Sequence, residues 1–308
     1  MRSVDIVVPI VDPDEKDLQR LSFWGEQEFL CDIEWNFILV VDGKSEQDFS
    51  SLYQLMGDRL NVVIKYERQG RASARNSGLK SGTGDYVAFF DADCLPANKY
   101  VIHSFLKSMK NGYDYVFAKI RSRNQGFWAC YFNQVCAERE KRFIGGDNTS
   151  MTAAGFMISR NFIEKVSGFD EQYMYYGFED RDLYARLFKE GGRAGFCSEA
   201  IVYHDDSLNL KSVCSKMQEA GKYTASIFSK RHPDIYENMK YDLIDIRNKN
   251  IIYRNLLRLF STLYPFVFSV STYVVDSSYF SYKCKSFFVR LATASAFMRG
   301  ALESKIYK

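Results

Sequence analysis

The chain has 308 residues, 46% hydrophobic and 16% aromatic, with a formal net charge of +3. That composition excludes a globally disordered polymer and leaves room for one large domain with an appendage, or for two domains. The charge is uneven: from Ser207 onward there are 16 Lys and Arg against 7 Asp and Glu, a local +9, so the preceding residues carry −6.

A basic C-terminal segment either meets a negative surface or is a solvated face. The 7 cysteines include no CxxC pair, and the sequence opens on an apolar run rather than a leader-like segment. Together these lead to the expectation of free thiols in a reducing, cytoplasmic setting.

In chain order, strand and helix patterns alternate through the first half. Residues 4–10 read as a strand, 14–29 as a helix, 35–41 as a strand, 46–56 as a helix and 62–66 as a strand. A helix over 72–81, a strand over 86–90, a helix over 99–110 and a strand over 113–118 follow. Short apolar strands separated by helices imply crossover connections and a mostly parallel sheet, an α/β fold.

Beyond residue 121 the pattern changes. Residues 127–143 read as a helix, 152–159 as a strand leading into a helix to 166, 181–189 as a helix and 200–203 as a short strand ending at His204. Past residue 208 the periodicity is helical, over 211–229, 248–260 and 286–302, so a boundary falls near Ser207. The window 259–275 carries no charge but contains Pro265. It is short and interrupted for a spanning helix. A peripheral membrane anchor and a packed or oligomerising helical face both remain open for 207–308.

Four short motifs carry chemistry. The apolar run 86–90 stops in Asp91-Ala92-Asp93. Carboxylates at i, i+2 repel and raise each other's pKa unless a cation lies between them. A divalent ion on a diphosphate answers that need, and hard oxygen ligands suit Mn2+ or Mg2+. A solvated surface turn is the plain alternative. Residues 70–78, Gly-Arg-Ala-Ser-Ala-Arg-Asn-Ser-Gly, follow the third strand and open a helix whose N–H groups can meet an anion. Arg71 and Arg75 share one face of it.

The third motif, Gly177-Phe178-Glu179-Asp180, follows an aromatic run and starts a helix. A carboxylate there could take a proton from an attacking hydroxyl, or merely complement the helix dipole. The fourth is His204, one of only 3 histidines, which follows an apolar strand and could join Asp91 or Asp93 as a metal ligand. Asp12, Asp42 and the Asp91/Asp93 pair all lie just past strand ends, where ligands of parallel sheets bind, so they should converge on one crevice.

Taken in order, these segments resemble family 2 glycosyltransferases with the A-type fold. The resemblance rests on residues 4–10, Val40-Val41-Asp42-Gly43, the Ala-Arg-Asn core of 70–78, Phe89-Phe90-Asp91-Ala92-Asp93, Gly168-Phe169-Asp170-Glu171 and Gly177-Phe178-Glu179-Asp180, covering about residues 3–206. The last two look most like a galactosyl- and N-acetylgalactosaminyltransferase branch. Two positions depart from the usual pattern. Val41 stands where a first Asp is usual, and Asp12 stands where a smaller polar residue is common.

The resemblance implies an inverting transfer from a UDP-sugar to a glycan or lipid-linked saccharide, as in surface-polysaccharide biosynthesis, with Mn2+ or Mg2+. Residues 1–206 would then form the catalytic domain. Pro9 and Asp12 would border the base and ribose, Asp42 would hold the uracil, and Arg71 or Arg75 would steady the nucleotide. Asp91 would reach the ribose, Asp93 would hold the metal with His204 helping, and Asp180, or Glu179, would deprotonate the acceptor. A nucleotidyltransferase would want a Gly-rich loop after the first strand, where Val11-Asp12-Pro13-Asp14 stands. A non-catalytic scaffold on the same fold is the other rival.

Overall fold

A computed structural model describes every residue except 1, 31, 206–207, 248 and 305–308. The expected boundary near Ser207 and the expected helix start at Asn248 therefore fall outside the described residues. Contacts divide the chain into two compact units, one of residues 1–172 and 180–206, the other of residues 173–179 and 207–308.

The first unit is built on one sheet of eight strands: β1 Arg2–Ile10, β2 Ile33–Asp42, β3 Leu60–Lys65, β4 Tyr86–Phe90, β5 Cys94–Pro96, β6 Tyr115–Arg121, β7 Gly155–Ser159 and β8 Ala194–His204. Their order is β3-β2-β1-β4-β7-β6-β8-β5. Four pairings are parallel, β1–β2, β1–β4, β2–β3 and β6–β8. The other three, β4–β7, β6–β7 and β5–β8, are antiparallel. Strands in the parallel half read as continuous apolar runs because both faces are covered. Val4, Ile6, Val7 and Val8 in β1, and Val87 to Phe90 in β4, are fully buried.

One buried charge sits inside this sheet. Asp5 on β1 has no exposed surface. Its oxygens accept from Gly84 N–H at 2.7 Å and Asn36 Nδ2 at 3.1 Å, and Arg160 Nη2 closes an ion pair at 2.6 Å. The same guanidinium donates to the Gly84 and Leu79 carbonyls. A Cβ at Gly82 would come within 2.2 Å of an Asp5 oxygen, and one at Gly84 within 2.9 Å of the Asp5 backbone nitrogen. Those glycines are the room the carboxylate occupies.

Several element boundaries differ from the sequence expectation. The helix expected over 14–29 stops after Glu15–Ser22, and a tighter turn, Phe23–Glu26, carries Trp24 into the core. The helix expected over 46–56 is only Ser50–Met56. Strand β8 begins six residues earlier than the run at 200–203 suggested, because its first half pairs with β6 before an irregularity at Ala118/Lys119.

The second unit is helical, with Leu210–Glu219, Ala225–Arg231, Pro233–Asn238, Ile251–Thr262, Tyr264–Asp276 and Tyr282–Glu303. The helix expected over 211–229 is interrupted by a wide π turn, Ala220–Thr224. The charge-free window is two helices rather than one, since Pro265 lacks an N–H and sits in the first turn of the second. Among the described residues no helix is long and apolar enough to cross a membrane.

Helix Tyr282–Glu303 crosses Leu210–Glu219 and the π turn with backbones touching. A Cβ on Gly300 would meet the Gln218 carbonyl at 1.9 Å, and one on Gly221 the Phe297 carbonyl at 2.3 Å. The π turn also seats residues 173–179. Tyr176 N–H donates to Glu219 Oε1 at 2.9 Å, the Thr224 hydroxyl donates to the Tyr176 carbonyl at 2.9 Å, and Tyr175 stacks on Tyr223 at 3.8 Å between ring centroids. All six cysteines among the described residues are free thiols.

Removing Arg160 would strand Asp5 as a buried, uncompensated charge. Arg160→Met is expected to lower unfolding stability by about 3–5 kcal/mol, as for other broken buried pairs. Urea denaturation measures this, and a loss below about 1 kcal/mol would show that the pair contributes no more than a surface one.

Candidate active site

Strand β4 ends at Phe90, and the chain turns at once. Cys94 N–H donates to the Asp91 carbonyl at 3.0 Å, which folds Asp91-Ala92-Asp93 into a tight turn. Strand β5 then pairs antiparallel with β8, with Cys94 opposite His204. Asp205 N–H donates to the Asp93 carbonyl at 2.8 Å and extends the ladder. This register sets Asp93 beside His204, so that Asp93 Oδ2 lies 3.3 Å from His204 Nε2.

The turn is braced from below and from the side. Trp24 Nε1 donates to the Cys94 carbonyl at 3.1 Å, and its ring lies 3.9 Å from that of Phe90. Arg20 donates to the Ala92 carbonyl at 3.3 Å and faces Asp205 at 3.8 Å. The Phe132 ring lies 4.9 Å from the His204 imidazole.

Asp91, Asp93 and His204 are all half-buried, and each offers a ligand atom within 4.8 Å of the other two. Two ligands at about 2.1 Å from one ion are separated by at most about 4.2 Å. A rotamer-scale adjustment closes that gap, and two carboxylates with one imidazole suit Mn2+ or Mg2+. The residues present therefore fit a divalent ion.

Arg75, on helix Arg71–Ser81, supplies the nearest fixed positive charge. Its Nη2 meets Asp91 Oδ1 at 2.6 Å, and the guanidinium, 1% exposed, lies over Phe169 at 5.2 Å. Burial alone would raise the Asp91 pKa. The positive charge of Arg75, aided by Arg71 and His204, outweighs burial and holds that carboxyl below its usual value.

Glu179 and Asp180 open the helix Glu179–Lys189. Glu179 is buried. Asp180 is half-buried, and its Oδ1 accepts from Arg181 N–H at 2.8 Å. One turn later, Tyr184 is fully buried, and among the described residues its hydroxyl has no hydrogen-bond partner. Burial first, and then the negative charge of Asp180, pushes its pKa well above that of free tyrosine; Asp91 adds to the rise and Arg75 opposes it. Sequence periodicity had not marked Tyr184, although its i+4 spacing from Asp180 was a usable signal.

The remaining expected residues divide. Pro9 is half-buried near the end of β1, paired in register with Val40. Asp12 is exposed in the left-handed region, φ +46°, which Asp tolerates better than most residues. Arg71 is half-buried at the first helical position. Asp42 ends β2. It is 2% exposed, and its two oxygens accept from Gln69 N–H at 2.9 Å and Gly70 N–H at 2.8 Å. That carboxylate braces the loop that opens helix Arg71–Ser81.

A clamp absent from the sequence reading ties that helix to Gly168-Phe169-Asp170-Glu171. Asn76 Nδ2 donates to the Phe169 carbonyl at 2.8 Å and to Glu171 Oε1 at 2.9 Å, and Asn76 Oδ1 accepts from Phe169 N–H at 2.9 Å. The Ser73 hydroxyl donates to Glu171 Oε2 at 2.9 Å. The Ala-Arg-Asn core thus has two roles: Arg75 points at the acidic turn, and Asn76 locks the loop under it.

Comparison with known proteins accords with this geometry. Residues 27–167 match the family described as Glycosyl transferase family 2. The chain carries a glycosyl transferase family 2 domain. Residues 140–205 match a second description, the N-terminal domain of galactosyltransferase. Among curated relatives, a pre-mycofactocin glycosyltransferase of Mycobacterium tuberculosis is 26% identical over 242 residues, 76% of this chain and 49% of the relative. A chondroitin synthase of Pasteurella multocida is 24% identical over 243 residues, 66% of this chain and 25% of the relative.

The chain thus spans about half, or less, of the length of such relatives. In three dimensions the chain is similar to the mannosyltransferase PcManGT of Pyrobaculum calidifontis, solved in complex with GDP-Man and Mn2+. The TM-score is 0.63 over 96% of this chain and 86% of that one, at 16% identity. The family 2 domain here therefore has the A-type glycosyltransferase fold.

The Asn76–Glu171 clamp leads to a titration prediction. The Asn76 amide first, and the Ser73 hydroxyl after it, hold the Glu171 pKa below its ordinary value. A depressed carboxylate contributes stability that is present above its unfolded pKa, about 4.3, and lost as pH falls through the folded value. Asn76→Ala should move the Glu171 titration upward by NMR. Its cost in stability should be largest above about pH 5 and shrink on acidification. An unmoved Glu171 titration would contradict the clamp.

Proposed function

We propose that this chain is a metal-dependent, inverting glycosyltransferase that moves a sugar from a UDP-sugar to a hydroxyl of a glycan or lipid-linked saccharide. The setting proposed is surface-polysaccharide biosynthesis in the cytoplasm. The observation that carries the reading is the convergence of Asp91, Asp93 and His204 at the end of a parallel strand, on a family 2 domain. The polysaccharide synthase among the relatives supports the pathway class, and the free thiols suit a reducing compartment.

A divalent ion held by Asp93 and His204, with Asp91, would neutralise charge on the departing diphosphate. The chain's own groups do the rest. Arg75 keeps Asp91 ionised and fixed in direction. Arg71 and the N–H groups opening its helix face the nucleotide phosphates. Pro9 and Asp12 border base and ribose, while Asp42 contributes indirectly by setting the Gln69–Gly70 backbone.

Asp180 takes the proton from the acceptor hydroxyl as it attacks the anomeric carbon opposite the leaving group, a single displacement that inverts configuration. Glu179, being buried, supports that helix start rather than meeting the acceptor.

Two substitutions separate these roles. Asp93→Ala should abolish metal-dependent hydrolysis of the UDP-sugar, read as UDP release with Mn2+ and Mg2+ in parallel. Asp180→Asn should keep donor and metal binding by calorimetry while transfer falls by about 10³-fold or more, since only the proton acceptor is lost. A comparable loss of UDP affinity in Asp180→Asn would show that its role lies in the donor pocket. No donor turnover with any common nucleotide sugar would remove the enzymatic reading.

A further inference from the structure

The second unit exposes an apolar face that its own packing does not need. In helix Ile251–Thr262, the inward side is set by Leu257 and Ser261, both buried, with Leu257 packed against Met298 and Ala301. At 100° per residue, Ile252, Leu256 and Leu259 fall within about 60° of one another, and about 150° away from that inward side. They are 73%, 59% and 62% exposed.

Leu263, at the junction, and Phe266, in the first turn of the next helix, continue the series at i+11 and i+14, and both are exposed. A surface helix ordinarily buries its apolar stripe and presents polar residues to water. This one has two apolar stripes and buries one.

The charge around the stripe selects its occupant. Residues 246–302 contain eight Lys and Arg and a single carboxylate, Asp276. Arg258 is exposed on the same helix, and Lys283 and Arg290 are exposed on helix Tyr282–Glu303. A second copy of the same surface would set like charges against one another. An anionic lipid surface would meet the cations with phosphates and take the leucines into its acyl boundary. The chain is too short and interrupted here to span, so the helix would lie in the interfacial plane.

We propose that the face formed by Ile252, Leu256, Leu259, Leu263 and Phe266, with the exposed cation Arg258 on the same helix, docks the full chain on anionic phospholipid. The proposal is independent of the catalytic reading, since vesicle binding is scored without donor or acceptor.

The test is flotation of the full chain with vesicles of pure phosphatidylcholine and of phosphatidylcholine with 30 mol% (about one-third) phosphatidylglycerol, with light scattering in parallel. Wild type should float with the anionic vesicles only, and binding should fall severalfold when salt rises from about 0.05 to 0.5 M. Leu256→Gln/Leu259→Gln should weaken binding by about tenfold or more with an unchanged thermal melt. Arg258→Glu, which leaves the leucines intact, should weaken it as well.

Equal flotation of the leucine double variant would overturn the proposal. So would the absence of wild-type binding to anionic vesicles. A concentration-dependent dimer that the leucine variant dissolves, without any vesicle binding, would overturn it too and assign the face to a second copy.

Discussion

The three-residue ladder between β5 and β8 is the constraint on which the candidate site depends. Asp93 and His204 are 111 positions apart in sequence, and nothing local to either would bring them together. Their neighbours pair in one antiparallel register, Cys94 against His204, and that register sets the spacing of the two side chains. A slip by one residue would turn His204 to the opposite face of the strand and dissolve the cluster. Trp24, Arg20 and Phe132 therefore matter to the chemistry without touching a ligand, because they hold that ladder and its turn in place.

Much of the scaffold was readable from the chain alone. Runs such as residues 4–10 and 86–90 are apolar at every position because both faces of a parallel sheet are covered, and such runs stand out. The acidic turn, the helix N-terminus after Gly70 and the carboxylates at 179 and 180 could be found because each lies where a regular pattern stops. Strand β5 could not. It has three residues, one of them proline, and owes its existence to a partner distant in sequence. The early half of β8 was hidden for a similar reason, its pairing being set by β6 rather than by its own composition.

Residue roles were less legible than residue positions. Asp42 shares its strand-end placement with Asp91, and sequence treats the two alike. The fold separates them by what is near: Asp42 has two backbone donors and is 2% exposed, whereas Asp91 has one guanidinium and an open side. Asp5 was hidden inside an apolar strand motif, and its importance appears only with Arg160 and the two glycines around it. Tyr184 and Asn76 belong to the same class of omission. Each acts through a neighbour whose identity depends on tertiary packing.

The glycine-to-backbone crossing at Gly221 and Gly300 has a mechanical consequence. Where helices meet through side chains, rotamer changes can absorb a displacement. Here the opposed surfaces are carbonyl and Cα, and no such cushion exists. Movement along Tyr282–Glu303 must be passed undamped to the π turn, and from there through Glu219 and Thr224 to Tyr176. The last long helix and the Tyr176 segment are thereby held together as one stiff piece of the second unit.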